Sequence, residues 1–538
     1  MSPSQMSSNR PPSSLPAWIL LVLATLAGAF WWWSAGRSVA LPDAPSARIA
    51  CVSYAPYREE GETPYDANAF ISPERIDADL RALSERFDCV RTYAQSQGLD
   101  AVPGIAERYH MKVLMGIWLG RDSKANAREV QQGIATAQAH PQALRGVIVG
   151  NEVLLRGELS PKVLADYLHE VRAGVPATVP VTYADVWEFW LQHPELANAV
   201  DYLTIHILPY WENDPVPPEH AVQHVADVYA QIQKAFPGKQ VMIGETGWPS
   251  EGRSRRAATP SVVNEARYLR DFLNYAATVH MPYNVIEAFD QPWKRVQEGT
   301  VGGYWGIFDV HAKPKFGMQG PVVEVPQWRL GWYAGAAGAL LFLLIGSWRR
   351  AWRGMRGWLA QALMGAASGT ALAWQVRQMM YACSNPWEWR ISIAACVCAL
   401  LTLLMLAPRI AARLAGARSV ALPLWPSYGW LRFGWLFGLA TYGLLQVFDG
   451  RYRDFPLGLY ALPCIGYALI GLLERDASMP SLEQRFLACA LPLLAAIVVA
   501  QELGLNAMAW LWLVLNLAIA MPVLVDWRAA RRLQPQQA

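Results

Sequence analysis

Two short runs in the first half of the chain end in a carboxylate where burial should forbid one. In GVIVGNEVLLRG, from Gly146 to Gly157, the β-branched Val147, Ile148 and Val149 read as a strand buried on both faces, yet it stops in Asn151 and Glu152. QVMIGETGW repeats the pattern, with Val241, Met242 and Ile243 leading into Glu245. Two glutamates facing each other across a cleft can divide the work of breaking a glycosidic bond. One stays protonated to donate to the departing oxygen, and the other stays ionised to attack the anomeric carbon. A carboxyl separation of about 5–5.5 Å permits that retaining route, whereas about 6.5–9.5 Å leaves room for a water and inverts the centre. A single rim glutamate is usually just salt-bridged; two that each terminate a buried strand argue for catalysis.

The elements that must position this pair are legible as a repeat. Strand-like runs occur at ACVSYAP, CVRTYA, KVLMGIW, GVIVGNE, VPVTYAD, DYLTIHILPYW, QVMIGETGW and NVIEAFD. Amphipathic stretches such as PERIDADLRALSERF and PKVLADYLHEVRAG lie between most of them. Eight strands alternating with helices predict an α/β fold, a (β/α)₈ TIM barrel over residues 45–325, with its active site at the C-terminal ends of the strands. A doubly wound open sheet is the competitor, but no glycine-rich phosphate loop follows the first strand. No metal-ligand spacing occurs among the seven cysteines, and no cofactor or metal is expected. Cys51 and Cys89 fall in the first two strands and are expected as buried free thiols, a disulfide being the alternative.

A chain that is 53% hydrophobic with 25 tryptophans is too apolar to be wholly soluble, and beyond Trp328 the composition changes to long apolar blocks broken by short arginine-containing loops. An all-α polytopic membrane domain of about seven spans is expected over 328–527, near 328–348, 357–376, 391–408, 428–448, 456–474, 485–501 and 507–526. Residues 17–35 read as an uncleaved anchor rather than a signal peptide, because the apolar core is longer than about 15 residues. The loops with Arg349, Arg350, Arg353 and Arg356, then Arg409, Arg413 and Arg418, then Arg528, Arg531 and Arg532 outnumber the opposite set, Arg377, Arg390, Arg451 and Arg453. The tails 1–16 and 528–538 are therefore expected in the cytoplasm and the barrel on the outer side, with a lipid bilayer as a partner. The net charge of +3 and the absence of a basic face interleaved with aromatics exclude a nucleic-acid partner.

VGNEVLLRG resembles the acid/base segment of glycoside hydrolase family 17, the β-1,3-glucanase family, and IGETGWPSEG resembles its nucleophile segment. The resemblance runs from VSYAPYR at Ser53 to FDQPWK and GGYWGIFD, across essentially the whole soluble half. It implies a retaining barrel enzyme acting on β-glucan oligosaccharide or polysaccharide, with Glu152 as general acid/base, Glu245 as nucleophile and Asn151 on the sugar 2-hydroxyl. The multispan tether resembles that of bacterial members linked to periplasmic glucan synthesis. It implies a multi-pass protein of the bacterial inner membrane with a periplasmic barrel, and a glucan synthase or export partner for the membrane half.

Other strand ends offer flat faces for sugar rings: Tyr54, Tyr57, Tyr93, Trp118, Tyr183, Tyr210, Trp211, Trp248 and Trp293. Packing is an equal reading for each. Tyr210 is the expected partner that orients Glu245; His206 could take that role, but a histidine in a strand is more often structural. Glu287, Asp290 and Lys294 read as polar subsite contacts or as structural ion pairs. The fate of the sugar ester stays open between a glucanosyltransferase, favoured by the membrane tether, and an endo-hydrolase. Two other classes compete: a non-catalytic glucan-binding scaffold, and a nucleotide-sugar synthase suggested by the D-x-D of Asp77 and Asp79, which lacks a companion Q-x-x-R-W.

Overall fold

The computed structural model describes residues 14–349, 354–417, 425–474 and 479–533. Within the expected tails, 1–13 and 534–538 lie outside the described residues, as do Arg350, Arg353 and Arg418. Two compact units emerge, Ser38–Val322 and the remainder of the chain.

In Ser38–Val322 the apolar runs become seven strands, Val52–Ser53, Cys89–Arg91, Lys112–Ile117, Leu144–Asn151, Val181–Val186, Leu203–His206 and Val241–Glu245. They pair in sequence order and every pair is parallel, so each connection must cross over through a helix. Three of those helices begin on side-chain caps. Ser72 accepts the Arg75 N–H just ahead of Pro73, Asp122 accepts from Lys124 and Ala125, and Ser160, just ahead of Pro161, accepts from Val163. Each helix then buries one stripe, Ile76, Leu80 and Leu83 in Pro73–Ser84, and Leu164, Leu168 and Val171 in Pro161–Gly174. A further buried layer joins the strands themselves: Cys51, Cys89, Leu114, Ile148, Ala184 and Met242.

The result is a curled parallel sheet of the TIM type, but the expected eighth strand is not a regular one. Residues 282–288 bond to both edges of the sheet. Asn284 N–H donates to Ile243 O and Ile286 N–H to Thr246 O on one side, while Val285 N–H donates to Cys51 O and Ala288 N–H to Ser53 O on the other. Two features interrupt the ladder. Pro282 has no N–H to give, and the Glu287 N–H leaves the sheet for the Trp305 carbonyl, 2.9 Å away. A second expectation is also corrected: Cys51 and Cys89 are joined in a disulfide. The register Val52↔Val90 sets the two cysteines side by side at a Cα separation of 4.3 Å, within reach of a bridge.

The other unit is helical, comprising Leu15–Ala35, Arg329–Arg349, Met355–Ala382, Pro386–Leu414, Trp425–Asp449, Leu457–Leu473, Leu482–Gln501 and Ala507–Leu533. Among the described residues five helices are long and apolar enough to cross a membrane: Leu15–Ala35, Arg329–Trp348, Pro386–Leu414, Leu482–Gln501 and Ala507–Arg532. The expected spans 357–376, 428–448 and 456–474 coincide with helices outside that set. The first two helices carry Arg356, Gln361, Gln375 and Arg377, and Arg432, Gln446 and Asp449; the third, Leu457–Leu473, is apolar but only 17 residues long. Helix contacts are close where side chains vanish. A Cβ at Gly338 would meet Gly365 O at 2.2 Å, so the backbones of Arg329–Arg349 and Met355–Ala382 touch directly.

Candidate active site

The sheet delivers its polar side chains where its register breaks. Pairing slips between Ile148 and Asn151 on the fourth strand and between Ile205 and His206 on the sixth, and such irregularities re-aim the residues beside them. Gly150 adopts φ 81° and Glu152 itself φ 52°, a left-handed conformation that a glutamate rarely holds. Arg156 fixes this turn: its backbone N–H donates to Glu152 O at 2.9 Å, its side chain donates to the carbonyls of Asn151 and Leu119, and its guanidinium lies 4.4 Å from the Trp118 ring centroid. Asp185 holds the next residues, accepting the N–H groups of Leu154 and Val186 at 3.2 and 2.8 Å and the Tyr183 hydroxyl.

Glu152 and Glu245 are brought together around His206. Nδ1 of His206 lies 2.9 Å from Glu152 Oε1, and Nε2 lies 3.7 Å from Glu245 Oε1. A carboxylate oxygen of each glutamate and a ring nitrogen of His206 fall within 4.8 Å of one another. Such a trio has the donor types of a metal site, but the buried Arg91 guanidinium already puts a cation there, with NH1 3.0 Å from Glu245 Oε1 and 3.4 Å from His206 Nε2. Because arginine can only donate, Nε2 faces it as the acceptor and Nδ1 carries the hydrogen toward Glu152.

Arg91 also donates through NH2 to Asn151 Oδ1 at 2.5 Å, linking the amide to the pair. Tyr93 lies 3.0 Å from Glu245 Oε1 and 2.9 Å from Ser53 Oγ; the acceptor-only carboxylate takes its one hydrogen. Burial and the Glu245 charge together keep that phenol well above the ordinary tyrosine range. Burial also pushes the Glu152 carboxyl up, but the hydrogen bond from His206, with the charges of Arg156 and Arg91 behind it, outweighs it and holds the group below the usual glutamate range. Glu152 is therefore a carboxylate at rest, which was not expected of an acid.

The expected cleft residues divide. Tyr93 is half-buried on Glu245, and Trp118, Trp211 and Trp293 are half-buried as well, with Trp211 stacked on Tyr210. The rest of the aromatics are turned into the core. Tyr54 is buried and its hydroxyl donates to Asp79, Tyr183 is spent on Asp185, and Trp248 donates to Thr259 O. Tyr57 is buried and donates to Gln97. Tyr210 does not orient Glu245; its hydroxyl donates to Arg253 O at 2.6 Å, because Tyr210 lies four residues past the end of the sixth strand and packs beneath a loop. Lys294 pairs with buried Glu287, and Glu287 with Glu298 keeps that ammonium above the lysine range against its burial. Asp290 is committed to structure through Lys315 at 3.0 Å, which also reaches Glu265 at 3.1 Å. Asp79 binds Arg58 at 2.6 Å as well as Tyr54, a structural use of half of the D-x-D.

Arg91 went unread in the sequence, and His206 was read only as the lesser candidate for orienting Glu245, without its contact to Glu152. An arginine inside the apolar run CVRTYA raises the same question as a glutamate at a strand end, and was the available signal.

Residues 51–306 match the BtgE/BtgC glycoside hydrolase domain. The chain is 26% identical over 256 residues to a glucan 1,3-beta-glucosidase of Schizosaccharomyces pombe, covering 45% of this chain and 79% of that protein. It is 24% identical over 268 residues to one of Saccharomyces cerevisiae, covering 46% and 85%. Among solved structures, an active-site mutant of the Rhizomucor miehei beta-1,3-glucanosyltransferase in complex with laminaritriose is similar, with 27% identity, a TM-score of 0.45, and coverage of 52% of this chain and 98% of that one. The matched segment is thus similar to a glycoside hydrolase domain of this type, and the chain is an enzyme.

Proposed function

We propose that Ser38–Val322 is a retaining β-1,3-glucan-active domain in which Glu245 is the nucleophile and Glu152 the general acid/base, and that its product-forming step is transfer to another glucan. The observation that carries this reading is the approach of the two carboxylates to within 4.8 Å with His206 between them, which suits the short separation of a retaining site better than one holding a water between the carboxyls. Arg91 and Tyr93 stabilise Glu245 as the attacking carboxylate. Arg91 occupies Asn151 Oδ1 and so turns the amide's N–H₂ toward a ligand, which suits a sugar 2-hydroxyl. At rest Glu152 is in the basic form needed to activate the incoming hydroxyl. For the first step it takes up a proton as bound sugar displaces water from around it.

The half-buried Trp211 and Trp293 favour transfer, since an acceptor sugar lying on such faces excludes water from the ester. The names of the yeast relatives favour hydrolysis as the second reading. Incubating the full-length protein with a β-1,3-linked oligosaccharide decides between them. Products longer than the starting chain are expected at low and high substrate concentration; only shorter ones at every concentration would make the enzyme a hydrolase, and no products at all would leave a binding scaffold.

The same proposal places the domain outside a bacterial inner membrane, with seven spans after it and both termini in the cytoplasm. Five long apolar helices support anchoring, the arginine distribution supports the orientation, and the Cys51–Cys89 bridge suits an oxidising compartment. In that setting the helical unit would dock a glucan synthase or exporter.

A further inference from the structure

Tyr65 is an aromatic side chain left 63% exposed on a backbone that is held from every side. It lies in REEGETPYD, a loop without regular structure that follows the first strand and therefore belongs to the rim bearing Glu152 and Glu245. Gln97, from the loop after the second strand, donates through one amide nitrogen to the carbonyls of Pro64 and Asp66 at 3.1 and 2.8 Å, clamping the residue on either side of Tyr65. The Tyr57 hydroxyl holds that amide in turn. Ion pairs tie down the rest of the loop, Glu60 to the buried Arg295 at 2.6 Å and Glu62 to Arg75 at 2.6 Å.

The Tyr65 ring meets Trp293 edge to face, centroids 5.6 Å apart, and its hydroxyl donates to Gln297 at 3.2 Å. Trp293 is the neighbour in sequence of Lys294, which pairs with Glu287 and feels the Glu245 charge, so this aromatic corner continues outward from the carboxylate cluster. A loop tip whose only purpose was to connect would not need its flanking carbonyls, its acids and its phenol all tied. Such ties remove the ordering cost that a flexible aromatic would bear on binding a ligand.

We propose that Tyr65, with Trp293, is an outer sugar platform that stacks a glucose unit of a β-glucan chain several units from the reacting bond, and so makes the enzyme select for chain length. This rests on the glucan reading of the site. It also assigns Gln97 a positioning role through the Tyr65 backbone.

The test is binding of β-1,3-gluco-oligosaccharides of two to seven units, by calorimetry, to full-length protein carrying Glu245→Gln so that chains stay intact. Affinity should increase with length, and Tyr65→Leu, which keeps bulk but no flat face, should cut the long-to-short affinity ratio by roughly three- to tenfold, the worth of one stacking contact. Tyr65→Phe keeps the face while losing the bond to Gln297 and should retain most of the ratio. An affinity independent of length, or equal ratios in the parent and Tyr65→Leu proteins, would overturn the platform. Because turnover is not read, an absence of turnover by the protein with Glu245 intact would count against the catalytic reading and leave this result to stand by itself. Thermal unfolding of each variant separates a lost platform from a lost fold.

Discussion

Arg91 NH1 and Glu245 Oε1 lie 3.0 Å apart with the guanidinium almost wholly out of water. A buried ion pair of this kind is costly to break, because removing one partner strands the other's charge. Arg91→Met should therefore lower kcat by on the order of 10²–10³, the scale seen when a fixed charge-stabilising donor is lost. Arg91→Lys should lose less of the charge effect but still weaken substrate binding, since a single ammonium cannot reach both Glu245 and Asn151. Equal, near-parental kcat in both variants would remove Arg91 from the reaction.

The proposed roles of the two glutamates predict different failures. With a β-glucoside whose leaving group needs no acid, Glu152→Ala should still form the glycosyl-enzyme, and added azide should release a β-glycosyl azide. Glu245→Ala should trap no ester with the same substrate. Mass spectrometry of protein and products reads both outcomes, and a trapped ester in the Glu245 variant would reverse the assignment.

Stability should depend on pH through Asp185. Burial raises its carboxyl to about 6, above the value near 3.9 of an unfolded aspartate, so between those values the folded chain binds more protons than the unfolded one. Folding is thus least favoured by this group above pH 6 and gains on the order of 2–3 kcal/mol as pH falls toward 4. Asp290, also raised to about 6 by burial, acts in the same direction. Unfolding followed from pH 7 to pH 5 should show a smaller gain for Asp185→Asn than for the parent, Asp290 supplying what remains. An unchanged slope would contradict the assignment.

The disulfide provides a measure of both stability and location. Cys51 and Cys89 are 38 positions apart in the chain, and losing such a bridge should cost roughly 3–4 kcal/mol by loop entropy. Denaturant unfolding of Cys51→Ser against the parent checks the magnitude. Maleimide labelling after denaturation checks the location: the pair should be protected when the chain is made in cells with an active export pathway and labelled when export is blocked. A reporter fused after Pro321 should behave as exported and one after Ala538 as cytoplasmic.

Strand order and the glutamate pair were readable because buried parallel strands are near-continuous β-branched runs, and a carboxylate at the end of one stands out. What depends on register was not. The choice between Tyr93 and Tyr210 as the partner of Glu245 turns on where the strands stop; Tyr93 is two residues past Arg91, the end of the second strand, while Tyr210 lies further out under a loop. The bridge between Cys51 and Cys89 needed the pairing of Val52 with Val90, which composition does not encode. The eighth strand was right in place and wrong in regularity, because the diversion of the Glu287 N–H to Trp305 involves a segment distant in sequence. Among the described residues five helices rather than eight satisfy length and hydropathy together, since buried Gln361, Gln375, Arg432 and Gln446 dilute the apolar runs of two of the others and the third, Leu457–Leu473, is only 17 residues long.

The backbone of Glu152, at φ 52°, has an evolutionary reading. At that dihedral glycine or asparagine would relieve the chain locally, so once selection for the carboxylate is relaxed the backbone favours their substitution here. Duplicated copies that have turned to mere carbohydrate adhesion should show the substitution first at this position, ahead of Glu245, whose strand conformation gives drift no such incentive.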